Sequence, residues 1–405
     1  MKKTFCSVSL VPLLLLVASG AGLARWNGEI LAWGDNSEGQ CDVPSPNEGF
    51  VEVAGGFHHS IGLKENGSIV VWGFNNWGQC NIPEPNEGFA AVALGASHSL
   101  GLKADGSILA WGWNAAGQCN VPSPNSGFVA VAGGYYHSLG LKADGSIVAW
   151  GYNQFGQCNV PYPNSGFVGI AGGECHSLGL REDGSIVAWG MNNHGQCNVP
   201  SPNEGFVAVT GGCSHSLGLK ADGSILAWGY NGYGQCAVPS PNEGFVSVAG
   251  GHYHSLGLKA DGSIVAWGDN YYKQCNVPDN GSYVAFAAGG YHSIGLREIF
   301  TSSEDEGHAT IAPRALNIHS VSPNPFDSHT TVIFQSPGLS TVTLEMFTTT
   351  GRLVRTQNLG NSPAGNHAFT WDGRDSTGRE LTSGVYFIRI CSADQQASAR
   401  VVLVR

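Results

Sequence analysis

The sequence predicts an all-β chain, a seven-bladed β-propeller followed by a small Ig-like β-sandwich. Three observations carry the prediction. One unit repeats seven times, each unit has room for four short strands, and after Ile299 the repeat gives way to a second strand-rich texture. Trp recurs every 39 residues from Trp33 to Trp267, and Cys every 39 residues from Cys41 to Cys275. Four strands in a unit of about 40 residues is the mark of a propeller blade; a stacked solenoid is the alternative.

The elements follow in order. "MKKTF" supplies positive charge, "LVPLLLLVA" a short apolar run, and Gly22 and Ala24 the small residues of a cleavage site. Residues 1–24 therefore read as a signal peptide, with a buried helix as the other reading. The run is too short to span a bilayer, and no other stretch looks transmembrane, so no integral membrane segment is expected in the mature chain. No Cys follows the run, which argues against a lipoprotein.

Residues 25–298 hold the repeats. In one unit "GFVAVAGG" is the first strand, "HSLGLKAD" the second, "GSIVAWG" the third and "GQCNVP" the fourth. The second alternates, with His137, Leu139 and Leu141 on one face. The third is apolar on both faces, as expected of a central strand between stacked sheets. Asp144-Gly145 and its equivalents supply the positive-φ residue a hairpin turn needs. The first copy starts at its third strand and the last stops after its second, so the two ends can complete one another and hide both edges. Residues 299–317 are polar and patternless and read as a linker. From 318 to 405, "TTVIFQ", "VTLEMF", "HAFTWDG", "GVYFIRI" and "ARVVLVR" are strands between Gly, Asn and Ser turns, a small β-sandwich.

Composition narrows the function. Gly is 59 of 405 residues and charged residues are 12%, against a typical ~25%, so the chain is rich in turns and poor in charged faces. A formal charge of −11 argues against nucleic acid or an anionic membrane as partner, since both need a basic footprint.

The unit "GSIVAWGYNQFGQCNVP…GFVGIAGGECHSLGL" resembles the RCC1-type propeller repeat. It looks nearest to the bacterial branch typified by β-lactamase-inhibitor protein II, although the Cys after Gly-Gln departs from that branch. The resemblance implies a seven-bladed propeller. The tail phrases "SPNPF", "TWDGRDSTG" and "SGVYFIRI" resemble the C-terminal sorting domain of type IX secretion cargo and the related FlgD-like Ig domain. That resemblance implies a bacterial protein exported to the surface or the medium, with the tail engaging the secretion machinery; a plain spacer is the alternative.

Seven copies in one chain allow an internal comparison. Positions fixed across copies are demanded by the fold; those that vary are either neutral or used. Variation concentrates in the loop after Trp-Gly and the loop after Gly-Gly, and in an up-down meander both emerge on one face. The expected binding residues there are Phe57, Phe74, Trp77, Trp113, Tyr135, Tyr136, Tyr152, Phe155, His194, Tyr230, Tyr233, Tyr253, Tyr271, Tyr272 and Tyr291. Exposed aromatics are an association liability unless they bind something, and they dominate binding hot spots. Plain loop packing is the competing reading. The expected function is an exported, non-enzymatic scaffold that presents this face to a protein. A glycan-binding propeller is the alternative; an enzyme, a β-lactamase inhibitor and a guanine-nucleotide exchange factor stand further off.

No catalytic residue, metal site or cofactor is expected. Seven equivalent His match no metal geometry and read as buried structural residues. Only scattered acids, Asp35, Glu38, Glu174 and Asp269, lie in the variable loops. The seven repeated Cys read as reduced packing residues of the inter-blade core, because bridging neighbours would need a ring radius of about 6 Å. Cys175 and Cys213, in variable loops of adjacent copies, are a candidate pair.

Overall fold

The computed structural model describes residues 28–278, 283–298, 316–322, 328–336, 340–348, 352–362, 365–382, 384–392 and 395–403. The expected signal peptide, almost all of the expected linker and Trp26 lie outside them. The chain divides into two compact units, Met1–Thr301 and Ser302–Arg405. Among the described residues every regular element is a strand.

Within the first unit, one copy shows how the sequence makes its sheet. Phe128–Gly133, His137–Lys142 and Ile147–Gly151 pair antiparallel in that order. Gly140 sits where the Phe128 ring crosses the sheet; a Cβ there would lie 2.5 Å from the ring. The hairpin after Lys142 turns on Gly145, at φ +80°. Asp144 braces it by accepting bonds from the Ser146 amide at 2.9 Å and hydroxyl at 2.6 Å. Only Gly takes positive φ in this turn, which makes it a three-residue hairpin loop with a Gly bulge. Six sheets repeat this pattern.

The seventh sheet is composite. Gly28–Gly34 pairs antiparallel with His292–Glu298, which pairs with Tyr283–Ala288. Its register runs unbroken from Gly28↔Glu298 to Gly34↔His292. The two ends of the repeat region thus share one sheet, as their half-copies led us to expect.

Two expectations are corrected. The second strand, not the third, lies in the middle of each sheet, and "GQCNVP" forms no fourth strand. Side-chain amides explain why. Asn153 Oδ1 takes the Cys158 amide at 2.8 Å, and Asn153 Nδ2 donates to Asn159 Oδ1 at 2.8 Å. These bonds wind the segment into consecutive turns through Gly156. At the free edge of the third strand, Asn164 Oδ1 accepts from the Ile147 amide and Asn164 Nδ2 donates to the Ile147 carbonyl, both at 2.8 Å. One side chain does for this residue what a neighbouring strand would do.

The third strand is still apolar on both faces for the expected reason. Trp150 packs into the seam with the preceding copy, beside Leu100, Phe128 and Val131. Ile147 packs into the seam with the following one, beside Phe167, Ile170 and Trp189. Each seam is a separate small core of this composition.

The C-terminal unit pairs Asn317–Ser322, Thr330–Ser336 and Gly365–Trp371 in one sheet. Leu353–Ser362, Ser340–Thr348, Gly384–Ser392 and Gln395–Leu403 form a second. Val332, Phe334, Leu344, Met346, Trp371 and Ile388 fill its core. The Asp375 turn holds "RDSTG" by accepting from the Thr377 amide and hydroxyl and the Arg379 amide.

Candidate functional site

The fixed residues of each repeat are those with structural bonds. Gln118 O accepts from Trp150 Nε1 at 2.8 Å and Ser138 Oγ at 2.9 Å, both in the next copy. Gln157 Oε1 accepts the Phe155 amide, which fixes the tip of its own loop. The two variable loops meet: Tyr152 N donates to Tyr136 O at 2.9 Å, and their rings lie 6.2 Å apart. They therefore occupy one face, as the meander requires.

Under that face the histidines link the sheets. His59, His98, His137, His176, His215, His254 and His292 each place Nε2 2.9–3.2 Å from a Ser hydroxyl of the following copy, His292 reaching Ser60. Each of those hydroxyls also bonds a Gln carbonyl. A hydroxyl has one proton, and a carbonyl can only accept, so Nε2 must be the protonated ring nitrogen. Nδ1 is then an acceptor with no partner. Burial pushes the seven rings far down from the usual His range, to about 3, with His176 at about 4. All seven are neutral and structural, not ligands.

The cysteines are reduced, as expected, but the repeated ones are not where the sequence places them. All ten described are free. Cys158 does not fill a seam beside Val160: it is half-buried in the turn and donates its thiol to Tyr152 O at 3.3 Å. The equivalent cysteines do the same. Burial pushes the Cys158 thiol up to about 11, so it is an inert thiol, not a nucleophile. Cys175 and Cys213 are not bonded to one another; Cys213 donates to Glu174 Oε2 at 2.7 Å.

The expected binding residues divide into two groups. Trp77, Phe155, His194, Tyr233, Tyr271 and Tyr272 are exposed, Tyr271 at 82% and Trp77 at 55%. Phe57, Phe74, Trp113, Tyr135, Tyr136, Tyr152, Tyr230, Tyr253 and Tyr291 are half-buried. Most of the second group interlock. Phe57 meets the rings of His58, Tyr135, His252 and Tyr291 edge-on at 4.5–5.4 Å. Tyr253 joins Tyr230, Tyr233, His252 and Tyr291. Loop packing thus accounts for the inner rings; the outer ones keep much of their surface exposed, although Tyr233 touches Tyr253 at 4.7 Å and Tyr272 touches Tyr291 at 5.4 Å.

The residues directly after Gly-Gly converge on one spot. Phe57, Ala96, Tyr135, Glu174, Cys213, His252 and Gly290 line a small open depression of about 90 Å³, together with the ends of all seven first strands, which are Gly-Gly in five copies, Leu94-Gly95 in the second and Ala288-Gly289 in the last. Large and small residues interleave there: a Cβ on Gly290 would lie 2.6 Å from the Phe57 ring. Sequence reasoning left Glu174 among scattered acids and passed over Cys213 and His252 as site residues. Their shared offset from Gly-Gly was the signal that could have found them. Burial pushes His252 down to about 4, raises the Cys213 thiol and raises the Tyr135 phenol, so all three are uncharged at neutral pH. Asp35 is tied to Ser37 and Gln40 and lies 3.7 Å from His58 Nδ1. Among the described residues no three His, Cys, Asp or Glu side chains group as metal ligands.

Comparison with known proteins agrees with this geometry. The family model of the regulator of chromosome condensation (RCC1) repeat matches residues 50–79, 89–118, 128–157, 167–196, 206–235 and 245–274. That of the FlgD Ig-like domain matches residues 322–396. The chain carries RCC1 repeats and a C-terminal FlgD Ig-like domain. Prp20p from Saccharomyces cerevisiae, studied for its binding to Gsp1p and histones, is 19% identical, with 69% of this chain and 93% of that one covered at TM-score 0.58. Human WBSCR16 is 17% identical, with 67% and 99% covered at TM-score 0.55. The ectodomain of the Arabidopsis thaliana receptor kinase ACR4 is 23% identical, with 61% and 92% covered at TM-score 0.51. At these identities the likeness establishes the fold alone, an RCC1-like propeller. No curated protein gave a match.

Proposed function

We propose that this protein is an exported, non-enzymatic scaffold whose seven sheets close into a seven-bladed propeller and whose variable face binds a protein. The observation that carries the reading is the separation of bonded, repeated residues from exposed aromatic ones on a single face. Trp77, Phe155, Tyr233, Tyr271 and Tyr272 stay exposed while the residues between them hold the loops. Large aromatics lose little entropy on binding and give most contact energy per residue. A non-catalytic role is supported by two axial residues: the buried Cys213 thiol stays protonated, hence no nucleophile, and His252, pushed down to about 4, is a weak base. The repeat phrase "WGYNQFGQCNVP" supports kinship with the bacterial β-lactamase-inhibitor protein II branch, without its specificity.

Capture of surface proteins by the leaderless chain tests the reading. Trp77→Ala and Tyr271→Ala are expected to weaken the captured complex by about 2 kcal/mol each, with the far-ultraviolet spectrum unchanged. Unaltered affinity in both variants would sink it. The FlgD Ig-like tail is assigned to export. Deleting residues 320–405 is expected to leave the propeller in the periplasm, and normal surface display of the truncated chain would refute that role.

A further inference from the structure

We propose that the centre of the variable face takes a cationic side chain, a lysine or arginine presented by the partner protein, with Glu174 as its counter-ion and the Tyr135, Phe57 and His252 rings as its walls. The inference rests on the reading of this face as a protein-binding surface and names the chemistry of what binds.

Glu174 is the one acid among the residues that follow Gly-Gly. Its Oε2 accepts from the Cys213 thiol, a weak donor. No cation pairs with it among the described residues. Tyr135, Phe57 and His252 line the same depression, and the Tyr135 and His252 rings lie stacked 6.0 Å apart. A carboxylate among aromatic rings is a recognised setting for an ammonium or guanidinium group, through ion pairing and attraction to the ring quadrupole.

Charge on the rest of the face points the same way. Asp35, Glu38 and Asp269 lie in its loops, and Lys273 is the single cation there. His58 and His252 add no positive charge at neutral pH. The repeat lysines are held at the other end of the strands, where Lys103 and Lys142 sit over the Phe89 and Phe128 rings at 3.6 and 3.5 Å. The face is thus acidic and aromatic, and complementary to a basic segment.

The test uses the full chain and calorimetric titration with N-acetyl octalysine amide at low salt. Glu174→Gln keeps an acceptor for the Cys213 thiol while removing the charge. Glu204→Gln, on an exposed loop of the opposite face, is the charge-matched control. Octalysine is expected to bind the parent chain, about tenfold or more weaker to Glu174→Gln, and within twofold of the parent for Glu204→Gln; acetyl octaglutamate amide is expected not to bind. Equal weakening by both substitutions, or no octalysine binding, overturns the proposal. Capture of surface partners separates the two levels. A complex lost with Trp77→Ala but untouched by Glu174→Gln overturns the cation site alone, whereas one untouched by either overturns the reading beneath it.

Discussion

Glu52 stands where every other copy has a small residue: Ala91, Ala130, Gly169, Ala208, Ser247 or Ala285. Its Oε1 is enclosed without a hydrogen-bond partner among the described residues. Burial pushes its carboxyl up to about 8, against one opposing bond from the Val92 amide. A carboxyl raised in the folded state binds its proton more tightly there than in the unfolded chain. Stability is therefore lost as pH rises from about 4.5 through 8. Glu52→Ala should stabilise the repeat domain by about 3 kcal/mol at pH 7 and little at pH 5. Urea midpoints at the two pH values measure the difference, and equal shifts at both would contradict the burial argument.

The residue scale also shows what the sequence could reveal about the site. The variable positions and their common face were legible, because seven internal copies separate what the fold fixes from what it leaves open. Which of them are free was not. Phe57 and Trp77 look alike in sequence, yet Phe57 is enclosed by four rings and Trp77 stands in solvent. That difference depends on which copies neighbour one another across the axis, information no single repeat contains.

At the scale of the element, the second and third strands were legible from alternation and from Asp-Gly turns. The fourth strand was misread for a definite reason. "GQCNVP" has the apolar spacing of a short strand, but Asn153 and Asn164 satisfy backbone groups with side-chain amides and remove the need for a ladder. Asn164→Ala leaves the Ile147 amide and carbonyl without those partners. We expect a loss of about 2 kcal/mol, since a buried unpaired backbone group costs roughly 1–3 kcal/mol. Asn164→Asp keeps the acceptor and should lose less. Thermal unfolding of the two variants tests the order; equal losses would show that the amide donor, not the acceptor, holds the edge.

At the scale of the whole repeat domain the histidines act together. Each is neutral and buried when folded, and burial holds its pKa below the usual 6.5. The unfolded chain binds these protons more readily, so stability is present above about pH 6.5 and lost as pH falls towards 3. Seven groups titrating together give a slope of up to about 10 kcal/mol per pH unit. Against a typical stability of 5–15 kcal/mol, cooperative unfolding is expected above about pH 4.5. Near-ultraviolet dichroism follows the tryptophans through the transition, and an intact signal at pH 4 would refute the linkage.

The composite sheet has a consequence in time. Ile30 pairs with Leu296, 266 residues later in the chain. At 5–20 residues per second of synthesis, the opening strand waits roughly 15–50 s before its partner exists. Until then the first strand has no partner in a sheet. The other six sheets are each built of consecutive strands and need not wait for it. The same pairing then acts as a clasp: once Gly28–Gly34 lies against His292–Glu298, neither terminus of the repeat region can peel away without breaking the sheet that the other depends on.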